Sequence, residues 1–169
     1  IWFPGGKTYK KSATLNITSS HTEVLMGQGS SIVEATNGYT SITFAANLTN
    51  IKATGLRLFG ITNNTPASMG YGIFTLENCS VVRISDCIIA GYTGGIGCLV
   101  NNRDVSITNC RFADMTYVPA SGVGGYGILS ESNSGVRISN NYFANTVQRH
   151  HIYVGRNAAD LVTLSCDFT

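Results

Sequence analysis

Short alternations of apolar and polar residues recur along the whole chain, and each one closes on a polar corner. The clearest ones place Ile five residues before Asn: "ITFAAN" (42–47), "IFTLEN" (73–78), "IGCLVN" (96–101), "ILSESN" (128–133) and "IYVGRN" (152–157). "LNITSS" (15–20) fits this frame loosely, with Ser20 in the place of Asn. A period of two predicts short strands, whereas a helix would space its apolar residues by three and four.

A second alternation follows each Asn. It reads "IKATGLRLF" (51–59), "VRISDCIIA" (82–90), "VSITNCRFA" (105–113), "VRISNNYFA" (136–144) and "VTLSCDFT" (162–169). Aligned on their polar turns, these segments give two columns of apolar or small residues. The first column is Leu56, Cys87, Cys110, Asn141 and Cys166, and the second is Leu58, Ile89, Phe112, Phe143 and Phe168.

The repeat interval decides the fold class. Successive Asn residues lie 31, 23, 32 and 24 residues apart, at Asn47, Asn78, Asn101, Asn133 and Asn157. One such unit cannot bury its own apolar face, but stacked units bury a continuous core. We therefore predict an all-β fold, a parallel β-helix (β-solenoid) of about six coils of 23–32 residues, with residues 1–169 as a single domain.

The five asparagines that close the first alternation are expected to face inward. Stacked at about 4.8 Å along the axis, their amides would hydrogen-bond one another and the backbone of the corners. Asn47 and Asn78 also start glycosylation sequons. Because inward side chains are inaccessible, we expect no glycan on either residue.

Composition and charge exclude several classes of protein. Charged residues make up 12% of the chain, about half of the usual ~25%. A net charge of +2 leaves no electrostatic footprint for nucleic acid, and no apolar run approaches the ~20 residues of a membrane helix. The final "LVTLSCDFT" stops on a strand-like pattern, so we expect the 169 residues to be part of a longer chain.

Cysteine and histidine spacing gives no metal site and no cofactor site. The five cysteines contain no CxxC pair, His21 stands alone, and His150 and His151 are adjacent. Neighbouring strand residues point to opposite faces, so these two histidines would not bind the same metal ion. A disulfide between Cys87 and Cys110 is geometrically possible in stacked coils, but we expect free thiols.

One connection varies in length from coil to coil, which predicts the binding face. It is short at 91–95 and 145–151 and long at 60–72 and 114–127. Long loops on either side of a short one would form a groove that suits an extended glycan. This corner carries aromatic, acidic and basic residues, namely Tyr71, Tyr92, Tyr117, Tyr126, Asp114, Arg149, His150 and His151.

Two cleavage chemistries fit these residues. Hydrolysis needs two carboxylates about 5–9.5 Å apart, and the predicted pair is Glu131 with Asp114, with Glu77 as a third candidate. Elimination at a uronic acid needs a cation for the carboxylate and a base for the C5 proton. One coil concentrates the residues for that reaction: Arg149, His150, His151, Tyr153 and Arg156.

The N-terminal segment "WFPGGKTYKKSATLNITSSHTEVLMGQGSSIV" (2–33) resembles the opening of phage tailspike and pectate-lyase-like β-helices. The resemblance rests on Phe3, Pro4, Gly6, Tyr9, Gly27, Gly29, Ser30 and Ser31, and it extends to "RHHIYVG" (149–155). It implies a right-handed, single-stranded parallel β-helix from a virus or prophage, which forms a homotrimer. The acids Asp86, Asp104, Asp114 and Asp160 do not cluster as calcium ligands would, so a calcium-dependent pectate lyase is not expected.

The resemblance also implies an activity and a location. It predicts a depolymerase that binds a bacterial surface polysaccharide (capsule, exopolysaccharide or O-antigen) and hydrolyses its glycosidic bonds. It places the protein outside the cell, on a phage tail or a bacterial surface. Two alternatives stay open: a non-catalytic glycan-binding or structural stalk or adhesin, and a uronate polysaccharide lyase. Many unrelated activities share this solenoid, so the fold does not choose among them.

Overall fold

The computed structural model describes residues 1–34, 40–61, 70–119, 122–144 and 147–155, and the backbone of 162–168. These residues form strands and turns, and no helix occurs among them. In chain order the strands are β1 (Trp2–Phe3), β2 (Thr8–Lys11), β3 (Leu15–Ile17), β4 (Glu23–Met26), β5 (Ser31–Glu34), β6 (Ile42–Phe44), β7 (Thr49–Thr54), β8 (Arg57–Phe59), β9 (Tyr71–Thr75), β10 (Ser80–Ser85), β11 (Ile88–Ala90), β12 (Gly94–Cys98), β13 (Arg103–Thr108), β14 (Arg111–Ala113), β15 (Tyr117–Val118), β16 (Val123–Gly124), β17 (Tyr126–Glu131), β18 (Ser134–Phe143), β19 (His150–Gly155) and β20 (Val162–Phe168).

The strands stack in parallel into a β-helix. A six-stranded short sheet has the order β19-β17-β12-β9-β6-β3, and a twelve-stranded long sheet runs β1-β4-β7-β10-β13-β18-β14-β11-β8-β5-β2, with β20 beside β18. Each coil contributes one strand to the short sheet and then two consecutive strands to the long sheet, as β12, β13 and β14 show. The predicted fold class is confirmed, although the solenoid makes about five turns and not six.

Two of the predicted apolar columns are in register. Ile42, Ile73, Ile96 and Ile128 pair directly across β6, β9, β12 and β17, and all four are fully buried. Leu58, Ile89, Phe112 and Phe143 form the second column, in which the last two rings stack at 5.0 Å. These columns fill the core, so the repeat fixes the coil spacing through hydrophobic burial.

The asparagine column is not the buried ladder that the sequence predicts. Asn47, Asn78 and Asn101 have φ angles of 63°, 60° and 64° and point to solvent. Asparagine tolerates this left-handed conformation better than most residues, which explains its recurrence at the corner. The expectation that Asn47 and Asn78 face inward is therefore wrong, and burial does not protect their sequons.

A buried ladder of side chains exists one position further on, where Leu48, Cys79, Asn102 and Asn133 stack, and its last two members carry amides. Asn133 belongs to this inner position because its corner is one residue shorter. Cys98 pairs with Ser130, and Arg103 pairs with Ser134. Arg103 therefore follows Cys98 by five positions in one coil, whereas Ser134 follows Ser130 by only four in the next. The shorter corner moves Asn133 inward and puts Ser132 at the left-handed position.

The described cysteines, Cys79, Cys87, Cys98 and Cys110, are free and buried, as expected. Cys87 and Cys110 occupy one inward position in successive coils. The contact between these thiols, together with burial, raises the pKa of the Cys87 thiol well above its usual value. Both side chains fill small positions in the core.

Candidate functional site

The outer face of the short sheet, at its C-terminal end, gathers five of the predicted site residues. Tyr126 starts β17 and stands in register with His150, which starts β19. Tyr153, three residues further along β19, is in register with Leu129. With Tyr117 and Arg149 from the adjoining connections, these residues form what we call the aromatic–arginine surface: Tyr117, Tyr126, Arg149, His150 and Tyr153.

Arg149 lies at the centre of this surface, between two tyrosine rings. Its guanidinium carbon is 5.0 Å from the ring centroid of Tyr117 and 5.2 Å from that of Tyr126, within cation–π range. Its Nη1 donates hydrogen bonds to the Tyr126 hydroxyl at 2.6 Å and to the Gly122 carbonyl at 3.0 Å. The side chain is exposed, so these contacts hold an accessible cation in a fixed position.

The remaining two members complete an aromatic platform. The rings of Tyr126 and His150 are 5.8 Å apart and nearly parallel, with 17° between their planes. Tyr153 contacts both of them, at centroid distances of 5.7 Å from Tyr126 and 5.4 Å from His150. Both His150 and Tyr153 are exposed, so the platform presents ring faces beside a cation.

Glycine at position 125 allows the connection to approach β19 closely. The backbone N–H groups of Arg149 and His150 both donate to the Gly125 carbonyl at 3.0 Å. Gly125 has a φ of 78°, and a Cβ there would lie 2.7 Å from the Cβ of Arg149. A larger residue would therefore displace Arg149 from the two tyrosines.

The two adjacent histidines point in opposite directions, as the alternation of a strand requires. His151 occupies the inward position taken by Gly72, Gly95 and Gly127 in earlier coils. A Cβ at Gly127 would lie 2.7 Å from the Phe143 ring, which explains the glycine there. The half-buried His151 ring instead lies 5.5 Å from the Phe143 ring, so this histidine is not part of the aromatic–arginine surface.

Tyr92 does not belong to the surface either, although the sequence places it at the same corner. Its side chain is only 4% exposed, and its hydroxyl donates to Glu34 Oε1 at 3.2 Å. Lys11 forms an ion pair with the same carboxylate at 3.1 Å. Burial raises the pKa of Tyr92 above its usual value, so the predicted sugar-binding role of Tyr92 is incompatible with its buried position.

Sequence reasoning missed Glu34, which is 3% exposed. Its position at the end of β5 follows no repeat column, so only the tertiary contacts reveal it. Tyr71 is also buried at 4% exposure, with its ring stacked on Phe74 at 4.6 Å. A Cβ at Gly94 or Gly97 would collide with the Tyr71 ring, which shows that this ring lies across the outer face of β12.

The predicted carboxylate pair is not brought together. Asp114 is exposed at the corner after β14, and Thr116, two residues on, donates to the Tyr92 carbonyl near the start of β12. Glu131 is half-buried and is the last residue of β17, so it lies where the strands of the short sheet end, whereas Asp114 lies near where they begin. Five extended residues of about 3.3 Å each separate Tyr126 from Glu131, so the width of the sheet, about 16 Å, lies between the two acids.

Glu77 and Glu131 lie at the same edge of the short sheet. Glu77 is exposed two residues after β9, and Glu131 ends β17 two strands later, about 10 Å along the axis. Burial chiefly, and then the charge of Glu131, raises the pKa of Tyr71 above its usual range. The Glu131 carboxylate therefore acts on Tyr71, whose ring lies across the outer face of β12.

Some predicted elements fall outside the described residues. Arg156 and most of the long connection 60–72 lie there, so the predicted flanking of a groove by two loops involves residues that are not described. The second long connection is described in part, and it forms the antiparallel pair β15 and β16. Among the described residues, no three His, Cys, Asp or Glu side chains gather as metal ligands would, and none forms a helix able to cross a membrane.

Comparison with known proteins identifies the architecture. A family model described as a right handed beta helix region matches residues 12–169. Among solved structures, ORF18 of Geobacillus virus E2 is similar with a TM-score of 0.63 and 16% identity, over 95% of this chain and 35% of the viral chain. The chain thus spans about a third of that viral protein. No curated protein matches the sequence.

Proposed function

Because the chain belongs to the right-handed β-helix family, we propose that it is a virion-associated domain that binds a bacterial surface polysaccharide. The partner would be a capsule, an exopolysaccharide or an O-antigen. The observation that carries this proposal is the position of Arg149 between the rings of Tyr117 and Tyr126, with His150 and Tyr153 beside them. The similarity in fold to a phage protein supports the viral setting.

The chemistry of the surface suits a sugar polymer. Aromatic rings offer flat apolar area to the C–H faces of pyranose rings, and phenol and imidazole groups add hydrogen bonds to hydroxyls. The exposed guanidinium adds a donor fork for oxygen atoms. Rings held by contacts with each other and with Arg149 lose little further rotational freedom on binding, which favours affinity.

Glycosidic-bond hydrolysis is a further proposal, and it rests on Glu131 and Glu77. Their backbone spacing of about 10 Å along the axis is slightly larger than the 6.5–9.5 Å that separates the two carboxyl groups in inverting enzymes. Asp114, on the other side of the sheet, is too remote to pair with Glu131. Substituting Glu131→Gln would then abolish clearing of polysaccharide by the protein, whereas Asp114→Asn would leave it unchanged.

Eliminative cleavage of a uronic-acid polymer is a second candidate, favoured by the convergence of Arg149, His150 and Tyr153. Arg149 would neutralise the uronate carboxylate, and His150 would take the C5 proton. The electron pair of the broken C–H bond would form the C4=C5 double bond, while the C4–O bond breaks and Tyr153 protonates the leaving oxygen. The unsaturated product absorbs ultraviolet light, which separates elimination from hydrolysis.

A glycan panel tests the proposed function. Purified protein is applied to immobilised capsular polysaccharides, exopolysaccharides and O-antigens, and bound protein is measured by biolayer interferometry. We expect binding to at least one polymer that Tyr126→Ala weakens at least tenfold, with unchanged thermal unfolding. No binding to any polymer in a broad panel would contradict the proposal and support a purely structural stalk.

The assembly state stays a prediction. We propose a homotrimer on the basis of the resemblance to tailspikes, and multi-angle light scattering on the purified chain measures it. A monomer of 18.0 kDa at tens of micromolar would contradict this proposal without affecting the aromatic–arginine surface.

A further inference from the structure

The outer face of the long sheet concentrates more than half of the positive charge of the chain. Among its 11 Lys and Arg residues, the strand register puts six on this face: Lys52, Arg57, Arg83, Arg103, Arg111 and Arg137. Five of the six are exposed, and Arg83 is half-buried. We call these six residues the basic face.

The register aligns these cations along the solenoid axis. Lys52, Arg83 and Arg137 share one outward row, in which Lys52 and Arg83 are immediate neighbours and Ser106 separates Arg83 from Arg137. Arg57 and Arg111 share a second row with Ile88 between them. With strands about 4.8 Å apart, cations recur at intervals of about 5 and 10 Å.

Acidic residues balance only part of this charge. Asp104 pairs with Arg83 at 2.6 Å, and Glu23 stands in register with Lys52 at the N-terminal end of the row. Asp86, at the corner between the rows, accepts a hydrogen bond from Asn109 at 3.3 Å. Within the described residues, no ion pair engages Arg57, Arg103, Arg111 or Arg137.

The arrangement disfavours the isolated fold, which points to a ligand. Like charges repel each other, and in the described part of the chain no ion pair offsets this repulsion at Arg57, Arg103, Arg111 and Arg137. An aromatic ring lies beside one of these cations. The guanidinium of Arg111 lies 5.0 Å above the exposed ring of Tyr142. A cation beside an accessible ring suits an anionic sugar unit.

From this alignment we infer that the basic face is a second glycan-binding surface, which takes the anionic groups of an acidic polysaccharide lying along the solenoid axis. The inference rests on the proposed function and names its substrate class. It assigns carboxylate or phosphate recognition to Arg57, Arg103, Arg111 and Arg137, on a different sheet from the aromatic–arginine surface. The neutral parts of the polymer need no contact with this face.

Two paired variants test the inference. Arg103→Gln/Arg137→Gln removes two exposed charges, and Arg103→Lys/Arg137→Lys keeps them as a matched control. Binding is measured to polygalacturonate as the carboxylate polymer, to a teichoic acid as the phosphate polymer, to dextran as the neutral polymer, and to duplex DNA. The expected result is at least tenfold weaker binding of the Gln variant to an acidic glycan and near-normal binding of the Lys variant.

Salt dependence supplies a second readout. Between about 0.01 M and 1 M salt the Debye length shrinks from about 30 Å to about 3 Å, so binding through the basic face must weaken strongly over that range. Equal affinity of the Gln and Lys variants for every acidic glycan would overturn the inference. Tighter binding of the wild-type protein to DNA than to either acidic glycan would also overturn it.

The two proposals fail in different ways. If Tyr126→Ala abolishes glycan binding while the Gln variant binds normally, the aromatic–arginine surface stands and the basic face does not. If the Gln variant loses acidic glycans while Tyr126→Ala has no effect on any glycan, the basic face stands alone. Thermal unfolding of each variant confirms that a lost signal reflects the surface and not the fold.

Discussion

The side chain of Asn133 accepts a hydrogen bond from the backbone N–H of Asn102, in the preceding coil, at 2.9 Å through its Oδ1. Its Nδ2 donates to the Cys98 carbonyl at 3.1 Å and to the Ser130 hydroxyl at 2.9 Å. Asn102 repeats the arrangement one coil earlier, because its own Oδ1 accepts from the N–H of Cys79 at 2.8 Å. Buried amides thus satisfy corner backbone groups that strand pairing leaves open.

Replacing Asn133 by Ala should destabilise the protein by about 2 kcal/mol, because it leaves the buried N–H of Asn102 without the amide oxygen that accepts from it. The matched control is Asn101→Ala, which changes an exposed residue and costs only about 1 kcal/mol through its left-handed backbone. Urea unfolding followed by circular dichroism measures both. Equal losses for the two variants would contradict the inner ladder.

Val81 holds a left-handed conformation with a φ of 55°, at the position that Asn50, Asp104 and Gly135 occupy in neighbouring coils. A β-branched residue is strained there, so Val81→Asn should stabilise the fold by about 1 kcal/mol. Val82→Asn serves as the control, since Val82 is fully buried and an amide there must destabilise. The midpoints of urea unfolding measure both changes in stability. A lower midpoint for Val81→Asn would contradict the left-handed conformation at this position.

Tyr92→Phe should lower stability without altering glycan binding. The substitution deletes the hydroxyl that donates to buried Glu34, at a cost of about 1–2 kcal/mol, while the ring volume is kept. Thermal unfolding and the glycan-binding assay are run on the same preparation. A loss of affinity for the glycan with unchanged stability would show that Tyr92 takes part in binding.

Arg149→Lys should weaken glycan binding about tenfold and lower the free energy of unfolding by only about 1–2 kcal/mol. Lysine retains the charge, but it cannot stack its head group between Tyr117 and Tyr126 or present a planar fork. Each contact between the guanidinium and a tyrosine ring contributes about 1 kcal/mol at an exposed site. Because the substitution removes these contacts, the rings of Tyr117 and Tyr126 also lose their fixed positions. The control is Lys10→Arg, an exposed cation at the opposite end of the solenoid. Unchanged affinity of Arg149→Lys would show that charge alone acts at this position.

Stability should fall between about pH 9 and pH 12. Burial raises the pKa of the Cys98 thiol from 9.0 to about 12, so the unfolded chain releases this proton first as the pH rises. The contribution of this thiol to the free energy of unfolding is complete below pH 9 and decreases by about 1.4 kcal/mol per pH unit above it. Cys98→Ala should reduce that slope, which urea titrations at pH 7, 9 and 10.5 would measure. An identical slope in the variant would rule out this thiol as a source.

The sequence by itself determined the strands, the coil stacking and the apolar columns. Period-two alternation and a repeat too short to bury its own face are local properties, and burial of Ile73 on Ile96 or of Phe112 on Phe143 follows from stacking them. The grouping of Tyr117, Tyr126, Arg149 and His150 was also predictable, because register brings the residues at one corner of successive coils together.

The tertiary structure decided which side chains face inward and which residues approach each other across the coil. One residue fewer in a corner moved Asn133 into the core and left Asn101 outside, a difference that an even repeat count conceals. Tyr92 turned inward because Glu34, outside every repeat column, offers its hydroxyl a partner. Asp114 and Glu131 stayed apart because the width of a sheet, which spacing along the chain does not reveal, lies between them.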